Sequence, residues 1–171
     1  MLIYLDACAI IEAREKFTPA GQSIANLMID AFNGDTLLRT CELSLLEVLV
    51  RPLHDIESPD AQIRSESGAL RDWYTRNLVS DGLFLKTSAI DAETLRTAAW
   101  LRATASRDHS GSLKAPDAIH FASAVLAGCS HFVTGDERLS NAIARHVEGS
   151  RIEIVALDDA AIDELAKRIT S

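Results

Sequence analysis

Residues 114–139 read KAPDAIHFASAVLAGCSHFVTGDERL, and this stretch decides the fold. Pro116 lies where a first helical turn tolerates a missing N–H, and Gly128 lies where a helix would end. The short apolar run His131–Thr134 then predicts a strand, with Asp136 two residues beyond it. A helix followed at once by a strand is the repeating unit of α/β proteins, so the stretch predicts one such unit.

The remainder of the chain repeats this unit. Short apolar runs alternate with longer segments whose apolar residues recur at three- and four-residue steps, which is typical of strands alternating with amphipathic helices. Further helix starts are predicted at Thr18-Pro19 and Ser58-Pro59, and a helix end at Gly34. The predicted strands are Leu2–Leu5, Thr36–Cys41, Leu83–Lys86, His131–Thr134 and Ile152–Leu157.

This alternation implies right-handed crossovers and therefore a three-layer α/β/α fold with a central parallel sheet of about five strands. A length of 171 residues fits one domain covering 1–171. Ligands of such sheets bind beyond the carboxyl ends of the strands, where the strand order reverses. The loop-like segment 106–115 is a candidate border of that site.

Composition limits the function classes. Seventeen Lys and Arg against 25 Asp and Glu give a net charge of −8, so no global positive field gathers polyanions and any nucleic-acid contact must be local. Three widely spaced cysteines without a C-x-x-C pair indicate neither a disulfide framework nor a zinc knuckle, and they favour a reducing cytoplasm. We expect no secretory signal and no membrane span, because the N-terminus lacks a basic region and no run reaches 18 apolar residues.

Three aspartates follow predicted strands or open predicted helices. Asp6 follows the first strand directly, Asp136 follows the strand His131–Thr134, and Asp117 begins a helix after Pro116. Each could be a helix cap or turn residue, because a carboxylate accepts free backbone N–H groups there and suits the positive end of the helix dipole. In a doubly wound sheet, however, these places converge on one edge.

Glu47 permits two interpretations. It lies three residues after Ser44, which is the spacing of a capping box. It is also the one charge within the apolar segment 43–50, where a carboxylate is retained most easily if a cation binds it. Asp6, Glu47, Asp117 and Asp136 together would repel one another unless they were protonated or bridged by a cation. Hard oxygen ligands select Mg²⁺ or Mn²⁺, which commonly serve phosphate chemistry.

Other residues near these acids are candidates for supporting roles. His120 lies on nearly the same helix face as Asp117, where it would orient a ligand, position water as a general base, or simply pack in the core. Thr134 either directs its hydroxyl toward water at the metal or ends its strand. Arg51, Arg138 and Lys114 are candidate phosphate contacts, with an ordinary solvated surface as the alternative.

Four segments resemble a known family. Residues 5–11 (LDACAII) resemble the opening of PIN-domain nucleases, in which a strand ends in the first catalytic aspartate. Residues 44–49 (SLLEVL) resemble the helix that carries the family's glutamate, and residues 114–124 and 132–139 resemble the segments of its third and fourth acids. Two departures are Cys8, where the family usually has serine, threonine or asparagine, and Gly135, where asparagine is common.

The size of the chain is most similar to that of VapC-type toxins of toxin–antitoxin pairs. The resemblance implies a metal-dependent endoribonuclease in which Asp6, Glu47, Asp117 and Asp136 hold one or two Mg²⁺ or Mn²⁺ ions. It also implies an RNA substrate and a cognate antitoxin that blocks the site. Apolar faces in Ser23–Phe32 and Leu43–Leu53 are candidates for antitoxin docking or a homodimer.

Two alternatives come from other function classes. One is a PIN-like interaction module that has lost catalysis, although all four acids are present. The other is a receiver-like module with a phospho-acceptor aspartate, although Asp6 is followed by alanine and cysteine rather than belonging to an acidic pair. The sequence contains neither a G-x-x-x-x-G-K-[ST] loop nor a G-x-G-x-x-G turn, so a nucleotide-dependent enzyme is poorly supported.

Overall fold

The central sheet is parallel throughout. The computed structural model describes residues 1–107, 113–137, 139, 141 and 152–170. Within these residues the strands are β1 (Leu2–Leu5), β2 (Leu37–Cys41), β3 (Lys86–Ser88), β4 (His131–Thr134) and β5 (Glu153–Ala156). They form one sheet in the order β3-β2-β1-β4-β5, and each neighbouring pair is parallel. The prediction of an α/β fold with about five parallel strands is confirmed.

Helices connect the strands, and their ends follow the residues that the sequence offers. Thr18 caps α2 by accepting a hydrogen bond from the Gly21 N–H at 3.0 Å, and Gly34 ends that helix. Gly128 follows α6 with a φ of 71°, a backbone conformation that favours glycine. The helices are α1 (Ala7–Glu15), α2 (Pro19–Asn33), α3 (Glu42–Asp55), α4 (Ala61–Asn77), α5 (Ala92–Arg107), α6 (Ala115–Leu126) and α7 (Asp159–Thr170).

Successive side chains of β1 belong to two different cores. Ile3 and Leu5 pack in one core with residues of α1, α2 and α7. Tyr4 packs in the other with Phe121 and further residues of α5 and α6. All of these side chains are fully buried, as expected for a sheet covered by helices on both faces. The three-layer prediction is therefore confirmed.

The third strand lies later in the chain than its prediction. Leu83–Lys86 was the expected strand, whereas β3 covers Lys86–Ser88. Leu85 is buried without being part of β3, so its hydrophobicity marks core packing rather than sheet pairing. Before it, Gly82 approaches the Asn77 carbonyl so closely that a Cβ would collide with it. The segment is thus a tight loop that delays the strand.

The start of α4 also differs from its prediction. The helix begins at Ala61 because Asp60, rather than the Ser58-Pro59 pair, provides the cap. The Asp60 carboxylate accepts hydrogen bonds from the N–H groups of Gln62 at 2.8 Å and Ile63 at 3.3 Å. Side-chain capping therefore outweighs the proline signal here.

Parts of two predictions lie outside the described residues. They are Arg138 and positions 108–112 of the predicted loop 106–115. On either side of those positions, α5 extends through Arg107 and α6 begins at Ala115, so that the ends of the predicted loop are helical. In the described ranges no helix is both long and apolar enough to cross a membrane.

Candidate active site

The candidate site lies where the strand order reverses. The chain crosses from β1 to β2 on one side and returns on the other as β4, which creates a crevice at the carboxyl edge of the sheet. Asp6 follows β1, and Asp136 lies two residues beyond β4, the strand that pairs with β1. The Asp6 N–H donates to the Val133 carbonyl at 3.2 Å, which fixes the backbone from which the first acid projects.

Asp6 is a buried carboxylate with backbone and side-chain donors. Its Oδ1 atom accepts hydrogen bonds from the Ala9 N–H at 3.0 Å and from the Cys8 thiol at 2.8 Å, so the residue also caps α1. Burial raises the pKa of Asp6, although hydrogen bonds from Cys8, Thr134 and Ala9 oppose this rise. The helix-cap interpretation of Asp6 is therefore correct, and it does not conflict with a place at the site.

Cys8 links the two strand ends. Its thiol donates to Asp6, and its sulfur accepts the Gly135 N–H at 3.0 Å. Burial and the Asp6 charge raise the pKa of this thiol far above its usual range, so it stays protonated and remains a donor. Beyond β4, the Thr134 hydroxyl oxygen accepts the Asp136 N–H at 3.0 Å. The Oδ1 atom of Asp136 accepts the Leu139 N–H at 3.2 Å.

Glu47 is placed by a histidine rather than by a capping box. Its Oε2 atom lies 2.8 Å from Nε2 of His120. Ser44 instead contacts Thr40 with its hydroxyl, and Cys41 is the N-cap of α3. The capping-box interpretation is therefore wrong. The Glu47 side chain is 33% exposed, so its position is more solvated than its apolar sequence neighbours indicate.

His120 is a buried ring with partners on both nitrogens. Its Nδ1 atom lies 2.8 Å from the Tyr4 hydroxyl and 3.6 Å from the Cys41 sulfur. Burial alone would lower the pKa of His120, but the hydrogen bonds with Cys41 and Glu47 outweigh burial and raise it. The residue is thus both a core residue and a support for Glu47, which combines the two interpretations of its sequence position.

The four predicted acids line one cavity of about 810 Å³. Burial and the charge of Asp136 raise the pKa of Asp117, with a smaller contribution from Glu47. The described residues contain no preformed group of three His, Cys, Asp or Glu side chains close enough to hold an ion. The donor set nevertheless suits a hard cation, because it consists of carboxylate oxygens whose mutual repulsion a divalent ion would relieve.

The residues predicted to support the four acids do not all lie at the cavity. Arg51 is absent from the cavity lining and forms ion pairs with Glu15 at 2.8 Å and Asp55 at 3.4 Å. Lys114 is exposed, and its charge partly offsets the rise in the Asp117 pKa. Thr134 acts beneath the cavity through its contact with the Asp136 backbone.

The sequence analysis did not assign Glu12 or Glu137 to the site, although both line the cavity together with Lys16. Lys16 pairs with Glu12 at 2.7 Å across one helical turn. The signal for this pair is its four-residue spacing at the end of α1, the helix that begins after Asp6, because such a spacing places both side chains on one face.

An oxygen-rich cavity at the switch point of a parallel 3-2-1-4-5 sheet defines a class of α/β domain built around clustered carboxylates. The chain matches the family model described as the PIN domain over residues 3–145, and it belongs to that family. No curated protein matches the chain in sequence.

Solved structures share this fold at low sequence identity. VapBC2 from Rickettsia felis bound to a DNA fragment from their promoter has a TM-score of 0.63 at 13% identity, covering 92% of this chain and 100% of that chain. FitAcB from Neisseria gonorrhoeae has a TM-score of 0.58 at 15% identity, with 89% and 95% covered. A toxin–antitoxin complex from Klebsiella pneumoniae has a TM-score of 0.53 at 15% identity, with 92% and 98% covered.

Proposed function

We propose that the chain is a metal-dependent endoribonuclease that hydrolyses RNA phosphodiester bonds, and that it is the toxin of a toxin–antitoxin pair. The observation that carries this proposal is the arrangement of four carboxylates from four different elements around one cavity. Membership of the PIN family and the resemblance of its motifs to PIN-domain nucleases support it. So does the similarity of the fold to toxin–antitoxin structures.

Asp6, Glu47, Asp117 and Asp136 would hold one or two Mg²⁺ or Mn²⁺ ions. A bound ion of this kind supplies an activated water and offsets negative charge on the phosphate. The raised pKa values of Asp6 and Asp117 reflect burial of carboxylates, for Asp117 beside other acids. This is the arrangement that a divalent cation would stabilise most.

The remaining residues would position the acids and the RNA strand. Thr134 holds the backbone of Asp136, and His120 holds the Glu47 carboxylate. Lys16 lies at the cavity, paired with Glu12 and with a side chain 56% exposed, so a phosphate would compete with Glu12 for its charge. Because the net charge is −8, we expect RNA affinity to depend on such local cations and on the bound metal.

The test is cleavage of a mixed structured RNA pool with and without Mn²⁺ or Mg²⁺. Wild-type protein and Asp6→Asn are purified identically, so that the variant reports contaminating nucleases. We expect metal-dependent cuts with the wild-type protein alone. Equal cleavage by both proteins, or none by a folded wild-type protein across the whole pool, contradicts the proposal.

The two alternatives make different predictions. A PIN-like module without catalysis would bind no Mn²⁺ in a calorimetric titration, whereas we expect binding that Asp6→Asn removes. A receiver-like module is disfavoured by the strand order, because such domains have the order 2-1-3-4-5 and this sheet has β3-β2-β1-β4-β5.

Two apolar helix faces support contacts with other chains. On α3, Leu46, Val50 and Leu53 are each more than half exposed and lie three or four residues apart. On α2, Ile29 and Phe32 are similarly exposed. We assign these faces to an antitoxin and to a second copy of the chain, because large exposed apolar patches mark protein interfaces.

Light scattering of the isolated chain and of the chain co-purified with its antitoxin tests this assignment. A monomer at all concentrations argues against the homodimer. We place the complex in the cytoplasm, in keeping with the free state of all three cysteines.

A further inference from the structure

A continuous set of hydrogen bonds joins the sheet core to Glu47. The hydroxyl of Tyr4, on β1, lies 2.8 Å from Nδ1 of His120, on α6. Nε2 of the same ring lies 2.8 Å from Oε2 of Glu47, on α3. Tyr4 is 0% exposed and His120 is 4% exposed. One imidazole therefore connects three separate elements at the wall of the cavity.

Each ring nitrogen of His120 has an oxygen partner at hydrogen-bond distance. Nε2 faces a carboxylate oxygen of Glu47, and Nδ1 faces the Tyr4 hydroxyl. A tyrosine hydroxyl can both donate and accept a hydrogen bond. The imidazole is therefore held from both sides, by α3 through Glu47 and by β1 through Tyr4.

Packing fixes the Tyr4 hydroxyl in place. Its ring stacks on Phe132 at 5.1 Å with an interplanar angle of 3°, and Phe132 in turn contacts Phe121 edge-on at 5.6 Å. The other neighbour of Nδ1, the Cys41 sulfur, is more distant at 3.6 Å. Nδ1 of the imidazole is thus held by the Tyr4 oxygen, whose own position the aromatic core determines, and by the Cys41 sulfur.

We propose that Tyr4 is a positioning residue that acts through His120 to present the Glu47 carboxylate to the cavity in one orientation. This inference rests on the proposed function, because the orientation of Glu47 matters for function if Glu47 helps to hold the metal ion. Residues that orient metal ligands typically contribute about 10- to 100-fold in affinity or activity. Tyr4 would provide this contribution from inside the core, without contact with substrate or ion.

The first test is Tyr4→Phe, which removes one buried hydroxyl and keeps the ring. Its matched control is Tyr74→Phe, since Tyr74 is also 0% exposed and its hydroxyl donates to Glu15 at 2.7 Å. Mn²⁺ affinity is measured by calorimetry, stability by thermal unfolding, and kcat and KM by RNA cleavage. We expect Tyr4→Phe to lower Mn²⁺ affinity by about 10-fold and to leave the KM for RNA unchanged. The control should lose stability alone.

A second pair of variants separates the two sides of the imidazole. In His120→Gln the amide nitrogen can reach the place of Nε2 and still donate to Glu47. In His120→Asn it reaches only the place of Nδ1, beside Tyr4. We expect the glutamine variant to retain more Mn²⁺ affinity than the asparagine variant at equal thermal stability. A purely structural role of His120 would affect the two variants according to their stability alone.

The outcomes distinguish this inference from the proposed function. If Tyr4→Phe and His120→Asn both bind Mn²⁺ like the wild-type protein while Asp6→Asn does not, the role of Tyr4 is overturned and the nuclease proposal stands. If the wild-type protein binds Mn²⁺ but cleaves no RNA, the nuclease proposal fails and the calorimetric comparison still decides the role of Tyr4. If the wild-type protein binds no Mn²⁺, both are overturned.

Discussion

The four acids reach the cavity by two different routes. Asp6 and Asp136 project from the ends of adjacent parallel strands and are fixed by local contacts, namely the Ala9 N–H for Asp6 and Thr134 for Asp136. Glu47 and Asp117 lie on helices from opposite sides of the sheet, and Glu47 depends on His120, 73 residues away in the chain. Strand-borne acids are thus placed by sheet topology, and helix-borne acids by tertiary packing.

The largest expected effect tests whether both routes matter equally for function. We expect Asp6→Asn and Glu47→Gln each to reduce Mn²⁺-dependent cleavage more than about 100-fold, beyond the range of residues that only orient a ligand. Both substitutions keep the size of the side chain, so both variants should fold. Initial rates of RNA cleavage provide the measurement. Retention of full activity by either folded variant removes that acid from the site.

A smaller effect is expected at the contact that joins the two strand-borne acids. Cys8→Ala removes both the donor to Asp6 and the acceptor for the Gly135 N–H, so cleavage should fall about 10-fold. Cys8→Ser keeps a donor and an acceptor and serves as the matched control. Equal activity of the alanine variant and the wild-type protein would show that the strand ends hold their geometry without this link.

Gly135 tests the packing of the same region. A Cβ there would lie 3.0 Å from Cδ2 of Leu157 and 3.3 Å from the Cys8 sulfur. We expect Gly135→Ala to lower the free energy of unfolding by about 1 kcal/mol, because both side chains must move. Gly68→Ala is the control, since nothing lies within 4 Å of the added Cβ in α4 and removing a helical glycine should stabilise. Urea titrations of both variants measure the difference, and a stabilised Gly135→Ala contradicts this packing.

The smallest effect concerns the helix-borne Asp117. Burial and the Asp136 charge raise its pKa above the ordinary value of 3.8, so the native state binds the proton more tightly than the unfolded state does. The resulting stability is present at low pH and is lost as pH rises through the native pKa. In EDTA at neutral pH, Asp117→Asn should therefore unfold a few degrees higher than the wild-type protein, at roughly 2–4 °C per kcal/mol.

This difference should vanish well below pH 3.8, where the wild-type side chain is also neutral in both states. Thermal scans at several pH values check the sign. A lower thermal midpoint for Asp117→Asn at neutral pH would show that favourable contacts of the ionised carboxylate outweigh its burial.

The sequence predicts the strand-borne half of the site better than the helix-borne half. Asp6 and Asp136 can be placed from topology alone, because the carboxyl ends of paired parallel strands share one edge. The position of Glu47 relative to His120 depends on how α3 and α6 pack on the sheet, which no local pattern records. The Ser44 spacing even favoured a capping box, since a pattern at three residues cannot reveal that the helix begins earlier, at Glu42.

The errors in the fold have a similar origin. The apolar run around Leu85 predicted a strand because its hydrophobicity is real, yet Leu85 is buried from a loop and pairing begins only at Lys86. Arg51 was a candidate phosphate contact because it lies near Glu47 in sequence, and it stays a prediction: it pairs with Glu15, and its side chain is 68% exposed. For Leu85, hydrophobicity correctly indicated burial but not the residues that pair in the sheet.

The shared imidazole makes positions 4, 47 and 120 depend on one another. A lineage that replaces His120 loses the reason to keep a hydroxyl at position 4, where phenylalanine would fill the same space beside Phe132. A lineage that replaces Glu47 loses the reason to keep a histidine in an apolar core. Selection would then act on the three positions as a set, and they should covary among related sequences although they are up to 116 residues apart.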